Sequence, residues 1–266
     1  MPRIYLPASD IKDNRILITD EKAHYLTSVL RCRKGDELTI FDGKGDCFRT
    51  TILKVDRREV VTEVIERFPC DTESHINIIL VQGLLKGEKM DMVVQKTTEL
   101  GIKEIIPIVT ERSQLRKTRK IARWRKIAEE ASRQSGRSVI PVVHDPMEFK
   151  EFFSKQTSID YPPRSPLTKG GIKGIGFIFY EEGGMKISYA VEMLKQSNPP
   201  IPPLVKGGKG GFFVFIGPEG GFTKEEVTLA EEKGLFVTSL GRRILRAETA
   251  AITAVTLVQF LLGDMG

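Results

Sequence analysis

The stretch Phe212-Phe213-Val214-Phe215-Ile216-Gly217-Pro218-Glu219-Gly220-Gly221-Phe222-Thr223 decides how the chain is read. Its first five residues are an uninterrupted apolar run, the pattern of a strand enclosed in a sheet. Gly217 to Gly221 follow as a tight loop, where glycine admits positive φ and lets a ligand approach the backbone, and Pro218 stiffens the turn. Thr223 and Glu226 stand at capping-box spacing, which starts a helix that Gly234 ends. Strand, glycine loop and helix make one βα unit, and parallel α/β sheets bind ligands beyond the carboxyl ends of their strands.

Downstream, Leu235 to Leu240 reads as a further strand and Ala247 to Leu262 as a long terminal helix. Between them lies a second glycine-bearing loop, Ser239-Leu240-Gly241-Arg242-Arg243-Ile244-Leu245-Arg246-Ala247-Glu248-Thr249. Two such loops in consecutive βα units are expected side by side at one sheet edge. Backbone N–H and C=O groups would hold an adenine and ribose there, with Ile216, Leu240, Ile244 and Leu245 as apolar walls. Arg242, Arg243 and Arg246 either face polyanion or substrate, or flank the helix as surface charge. The G-x-G-x-x-G fingerprint is absent, and Lys206-Gly207-Gly208-Lys209-Gly210-Gly211 precedes its strand, in the wrong order for a P-loop.

Upstream the same alternation continues. His75 to Val81 reads as a strand, and Glu88 to Leu100 as a helix with Met90, Val93, Val94, Thr97 and Leu100 on one face. Gly101 stands where a left-handed cap belongs, and Ile102 to Val109 is the next strand. A helix over Ile121 to Ser135, closed by Gly136, precedes strands at Val139–Val143 and Phe177–Tyr180. Trp124 on that helix either stacks on a base or anchors the helix by packing. Residues 1 to about 70 differ in texture. Leu38–Phe41, Arg49–Val55 and Val60–Ile65 alternate as strands of a small β-barrel, interrupted by one helix from about Glu21 to Arg31 with Ala23, Leu26, Val29 and Leu30 inward. Pro69-Cys70-Asp71-Thr72-Glu73 marks the boundary.

The 266 residues are 40% hydrophobic and contain no run long enough for a membrane helix, so two soluble domains are expected. The start, Met1 to Pro7, lacks the apolar stretch of a secretory signal, so a cytoplasmic protein is the default expectation. Cys32, Cys47 and Cys70 form no C-x-x-C pair, and with three histidines no zinc spacing exists; neither a disulfide nor a metal is expected. Net charge is +6, and the cations crowd between Lys86 and Lys126, as for a polyanionic partner or a solvated helix face. Pro162 to Gly171 and Pro199 to Gly208 share prolines, Leu, Lys and Gly-Gly in register, so insertions near residues 157–175 and 197–211 read as surface loops.

Ile216-Gly217-Pro218-Glu219-Gly220-Gly221-Phe222 and, downstream, Leu240-Gly241-Arg242-Arg243-Ile244-Leu245-Arg246-Ala247-Glu248-Thr249-Ala250-Ala251 resemble the signature of the RsmE family, 16S rRNA uracil-N3 methyltransferases of the SPOUT superfamily. Lys86-Gly87-Glu88-Lys89-Met90-Asp91, Gln95-Lys96, Glu99-Leu100-Gly101, Glu129, Ala131, Gln134-Ser135, Arg137, His24-Tyr25-Leu26 and Val29-Leu30-Arg31 fit the same family. Nearly the whole chain is covered apart from the two insertions. The resemblance implies an α/β fold: a PUA-like small β-barrel that binds RNA over residues 1–70, and a SPOUT α/β domain with a parallel sheet and a trefoil knot over 71–266. It also implies S-adenosyl-L-methionine as cofactor, 16S rRNA or the small ribosomal subunit as partner, and a homodimer with its active site near the interface. Periodicity reveals no knot.

On this reading Tyr180, Ile216, Gly217, Pro218, Gly220, Leu240, Gly241, Ile244 and Leu245 form the cofactor set. Transfer to uracil N3 leaves negative charge on O2 and O4, for which Arg246 is the candidate stabiliser. Glu219 or Glu248 is the candidate base or orients the target; Glu248 also suits a helix N-terminus without any catalysis. Arg31, Arg33, Lys86, Lys89, Arg112, Arg242 and Arg243 are the candidate RNA contacts. Two alternatives stay open: methylation of another RNA atom such as a ribose 2′-oxygen, and a non-catalytic ribosome-assembly factor.

Overall fold

The computed structural model describes residues 1–11, 14–155, 175–196 and 211–266. Contacts between Cα atoms divide the chain into two compact units, residues 1–73 with 129–140 and residues 74–128 with 141–266. The two Pro/Gly-rich insertions lie outside the described residues, apart from Ile175 and Gly211 at their ends.

The first unit is a curled five-stranded sheet of β1 (Arg3–Tyr5), β2 (Arg15–Thr19), β3 (Glu37–Phe41), β4 (Asp46–Val55) and β5 (Glu59–Pro69), in the order β1-β3-β4-β5-β2. Alternation along β2 buries Ile16 and Ile18 with Leu38, Ile40, Ile52 and Val60. The expected helix is shorter and changes character. α1 (Asp20–His24) passes into a π-helical turn over Tyr25–Val29, closed by Leu30 N–H donating to the Tyr25 carbonyl. The wider turn lets the apolar stripe slip round the helix, so Leu26 is buried while Val29 is 61% exposed.

The expectation of three unpaired thiols is corrected here. Cys47 and Cys70 are disulfide-bonded, with Cα atoms 5.9 Å apart. The cause is register: β4 and β5 pair Cys47 with Phe68 and Asp46 with Pro69, which carries Cys70 alongside Cys47. Two irregularities interrupt that ladder, so spacing along the chain could not give the pairing. Residues 129–140 join the same unit through buried charge. Arg137 pairs with Glu73 at 2.7 Å, and Glu73 Oε1 also accepts the Ser138 and Val139 N–H groups.

The second unit is a fully parallel sheet of β6 (Ile78–Gly83), β7 (Glu104–Val109), β8 (Val142–Val143), β9 (Met147–Glu148), β10 (Ile175–Phe179), β11 (Met185–Lys186), β12 (Phe212–Ile216) and β13 (Phe236–Ser239). The strand order is β11-β13-β10-β12-β6-β7-β8, with β9 also on β7. The unit's helices are α2 (Lys89–Glu99), α4 (Phe149–Lys155), α5 (Ile187–Gln196), α6 (Lys224–Glu232) and α7 (Ala247–Leu262), while α3 (Ile121–Ser135) has residues 121–128 in this unit and 129–135 in the first. The β12 pattern predicted enclosure, and every residue from Phe212 to Ile216 is buried. On one face Phe149 and Phe152 of α4 pack edge-on against Phe213 and Phe215, with Phe152 5.2 Å from Phe215, and Phe153 stacks on Phe215. α2 and α7 pack together and bury Val93, Val94, Ala251, Val255 and Val258. The α6 capping box is present as predicted, and Gly101 has a φ of +89°.

Trp124 is an anchor rather than a stacking platform. It is 1% exposed, and its indole N–H donates to Asp91 Oδ1 at 2.9 Å, while Arg123 Nε holds Asp91 Oδ2. No helix among the described residues is long and apolar enough to cross a membrane. Among the described residues no group of three His, Cys, Asp or Glu could hold a metal ion.

An Asp91→Ala substitution leaves the buried indole donor without its acceptor and should lower stability by about 1–3 kcal/mol, read as a fall in the denaturation midpoint. Asp91→Asn keeps a carbonyl acceptor and should recover much of that loss; equal stability of Asp91→Ala and the parent would refute the anchoring role.

Candidate functional site

Because the sheet is parallel, the carboxyl ends of β10, β12 and β13 point to one edge. The loops that follow them, around Tyr180, Gly217–Gly221 and Leu240–Arg246, enclose one cavity of about 600 Å³. The two glycine loops, expected side by side, are not immediate neighbours. β10 lies between β12 and β13, so Phe179, Tyr180 and Glu181 form the middle of the wall.

The 217–221 loop is held by close backbone packing. A Cβ on Gly83, at the end of β6, would lie 2.4 Å from Pro218 N and 2.8 Å from Gly217 C. The neighbouring Gln82, fully buried, donates its side-chain N–H groups to the carbonyls of Gly83 and Gly217 at 3.0 and 3.2 Å. Gly221 closes the turn, its N–H donating to the Pro218 carbonyl, with a φ of +69° that favours glycine.

Of the candidate cofactor residues, Tyr180, Ile216, Gly217, Pro218, Leu240, Gly241, Ile244 and Leu245 line the cavity. Gly220 does not. Its carbonyl accepts from Arg112 Nη1 at 3.2 Å on the other side of the turn, and Gly221 takes its place in the wall. Ile244 is 85% exposed, and Gly241 has a φ of +101°. The candidates Arg246, Glu219 and Glu248 all line the cavity, as do Lys89 and Arg243. Arg242 is exposed outside it. Arg31 and Arg33 are exposed in the first unit, and Arg31 has a φ of +55°. Gly221, Ala247 and Ala250, which stand in the quoted motifs without an assigned role, also line the cavity. Gln82, Gly83, Phe179 and Glu181 complete the site without having been singled out, and the polar Gln82 at the end of an otherwise apolar strand was the available signal among them.

The carboxylates differ in their surroundings. Glu219 Oε1 accepts from Lys89 Nζ at 3.0 Å and from the Lys86 N–H at 3.1 Å. Burial pushes the Glu219 carboxyl up, but the Lys89 ammonium and the backbone N–H groups of Glu219 and Lys86 outweigh it and hold the group below its usual value. Glu248, in the first turn of α7, is 8% exposed, and its Oε2 has no hydrogen-bond partner. Arg246 is the N-cap residue of α7 and is exposed, with no side-chain capping bond.

Residues 72–259 match the family model of an RNA methyltransferase domain, and residues 18–65 that of an RNA methyltransferase PUA domain. Ribosomal RNA small subunit methyltransferase E of Buchnera aphidicola is 30% identical over 99% of this chain and 95% of its own length. The Bacillus subtilis protein of the same name is 30% identical over 91% of this chain and 89% of its own. Among solved structures, the same enzyme from Neisseria gonorrhoeae, bound to S-adenosyl methionine, superposes with a TM-score of 0.80 at 30% identity, over 100% of both chains. A Legionella pneumophila methyltransferase in complex with the same cofactor gives 0.78 at 30% identity, over 99% of this chain and 98% of its own.

A Gly83→Ala substitution must push the 217–221 loop outward, and should cost about 1–3 kcal/mol by overpacking, measured by denaturation. An unchanged midpoint would mean that the crossing yields freely. The Glu219 ion pair should also give a pH signature. A lowered carboxyl contributes stability that is present above its ordinary value of about 4.3 and is lost as pH falls through the folded-state value. The stability deficit of Glu219→Gln should therefore be full at neutral pH and shrink in acid; a deficit independent of pH would exclude the ionic contribution.

Proposed function

Since the chain belongs to the ribosomal RNA small subunit methyltransferase E family, we propose that it transfers a methyl group from S-adenosylmethionine to N3 of one uridine in 16S rRNA. The observation that carries this reading is the convergence of both glycine loops on one cavity at the carboxyl edge of a parallel sheet. Apolar Ile216, Leu240, Ile244 and Leu245 suit an adenosine, and the enclosed, unpartnered Glu248 Oε2 suits a ligand rich in donors or positive charge. S-adenosylmethionine supplies an activated methyl group on a sulfonium centre.

The chain's own residues supply position and charge. The exposed guanidinium of Arg246, at the cavity mouth, stabilises the negative charge that develops on uracil O2 and O4 as the N3 proton leaves. Glu219, engaged by Lys89 and kept ionised, steadies the loop. Glu248 is left as the unpaired carboxylate that orients the reacting groups in the cavity. Arg112, Arg242, Arg243 and Lys86 hold surrounding phosphates, as do Arg31 and Arg33; Lys89 is committed to Glu219 and contributes less. In the same reading residues 1–70 form the PUA-like RNA-binding domain and residues 71–266 the knotted SPOUT domain. The protein works in the cytoplasm as a homodimer.

Mass mapping of 16S rRNA from cells lacking the protein should reveal one missing methyl group on a uracil base, restored by the parent gene. Arg246→Ala should bind S-adenosylmethionine normally yet lower kcat about 10²–10³-fold, the size of a lost charge-stabilising donor. A missing ribose methyl would overturn the N3 assignment, and an intact methylation map would overturn the enzyme.

A further inference from the structure

Buried acceptors without partners gather at this site. Glu219 Oε2 and Glu248 Oε2 stand in the cavity wall, and Gln82 Oε1 lies behind it on the side chain that holds the Gly217 carbonyl. A buried carboxylate without a counter-ion is costly, because low-dielectric surroundings neither solvate nor screen it. Glu219 has its counter-ion in Lys89. Glu248 has none among the described residues, and only the partial positive charge of the α7 N-terminus offsets it.

Arg243, Arg246 and Glu181 also line the cavity, but all three are exposed, where water and salt screen them. Glu248 is the enclosed charge that no side chain balances. With Lys89 and Glu219 cancelling one another, the interior of the cavity is negative at Glu248, and its rim carries Arg243 and Arg246 against Glu181. An anionic or neutral ligand leaves that interior charge uncompensated; a cationic one completes it.

We propose that Glu248 is a specificity-determining residue whose buried carboxylate is the counter-charge for the sulfonium of the methyl donor, so that the cavity distinguishes the charged donor from its neutral product. The inference rests on the methyl-donor reading above. In the transfer the bond between sulfur and methyl breaks, its electron pair stays on sulfur, the methyl joins uracil N3, and the N3 proton departs to a base or solvent. The sulfur thereby loses its positive charge. The attraction of Glu248 then falls away, which favours release of the thioether and entry of a fresh donor.

Calorimetry on the full-length protein tests this with three ligands: S-adenosylmethionine, S-adenosylhomocysteine, and an analogue carrying an ammonium-bearing carbon at the sulfur position. The unmutated protein should bind both cationic ligands more tightly than the thioether. Glu248→Gln, nearly the same size but uncharged, should weaken both cationic ligands by about tenfold while leaving the thioether nearly unchanged, in line with loss of one charge-assisted contact. An equal loss for all three would place the contact on ribose, base or amino group and overturn the proposal. So would undiminished binding of all three. The comparison of three ligands on the unmutated protein stands even if the variant fails to fold, and equal affinities there refute discrimination by charge. A protein that binds none of them would instead refute the methyl-donor reading, and this assignment with it.

Discussion

The approach of Gly83 to Gly217 and Pro218 is the constraint on which the functional half of the second unit depends. β6 and β12 run parallel in adjacent register, Gln82 opposite Ile216, and beyond that pair the backbones come close enough to exclude a Cβ. The Gln82 amide spans the contact and ties the two carbonyls together. Glycine and proline give the loop its shape, but the neighbouring strand fixes where that shape sits. A loop held in this way meets a ligand already in position, and little binding free energy is lost to ordering it.

From that fixed edge the charges follow in sequence. Glu219 projects from the loop to Lys89 on α2 and to the Lys86 N–H, so an ion pair joins the segments that follow the adjacent strands β12 and β6. α7 starts beyond the second glycine loop and brings Glu248 inward at its first turn, with Arg246 left at the rim as the N-cap. The one unpaired carboxylate is thereby enclosed, while Arg243 and Arg246 stay at the rim with Glu181. For a family that methylates ribosomal RNA, the rim arginines suit phosphates and an acceptor-lined interior suits a sulfonium.

The local signals were strong where chemistry is local. The apolar run of β12, the capping box at Thr223, the left-handed glycine at Gly101 and the bounds of α3 and α7 are each set by residues within a turn or two, and each was legible in the chain. α4 and its phenylalanines were not, because a seven-residue helix has too few positions to establish a period. β1 and β2 are short, and each is stabilised by a partner strand distant in sequence. The π-helical turn after α1 also escaped, since an apolar stripe alone cannot tell a four-residue from a five-residue hydrogen-bond step.

By itself the sequence determined the succession of βα units, the two glycine loops and the residue types that a methyl-donor site needs, because each depends on backbone freedom and side-chain polarity over a few consecutive positions. Tertiary structure decided the rest: that β10 lies between the two loops, that Gly221 rather than Gly220 faces the cavity, that Cys47 meets Cys70, and that Glu219 is paired while Glu248 is not. Strand order, register and depth of burial arise from contacts between residues far apart in the chain. No pattern within one segment specifies which segment it will meet.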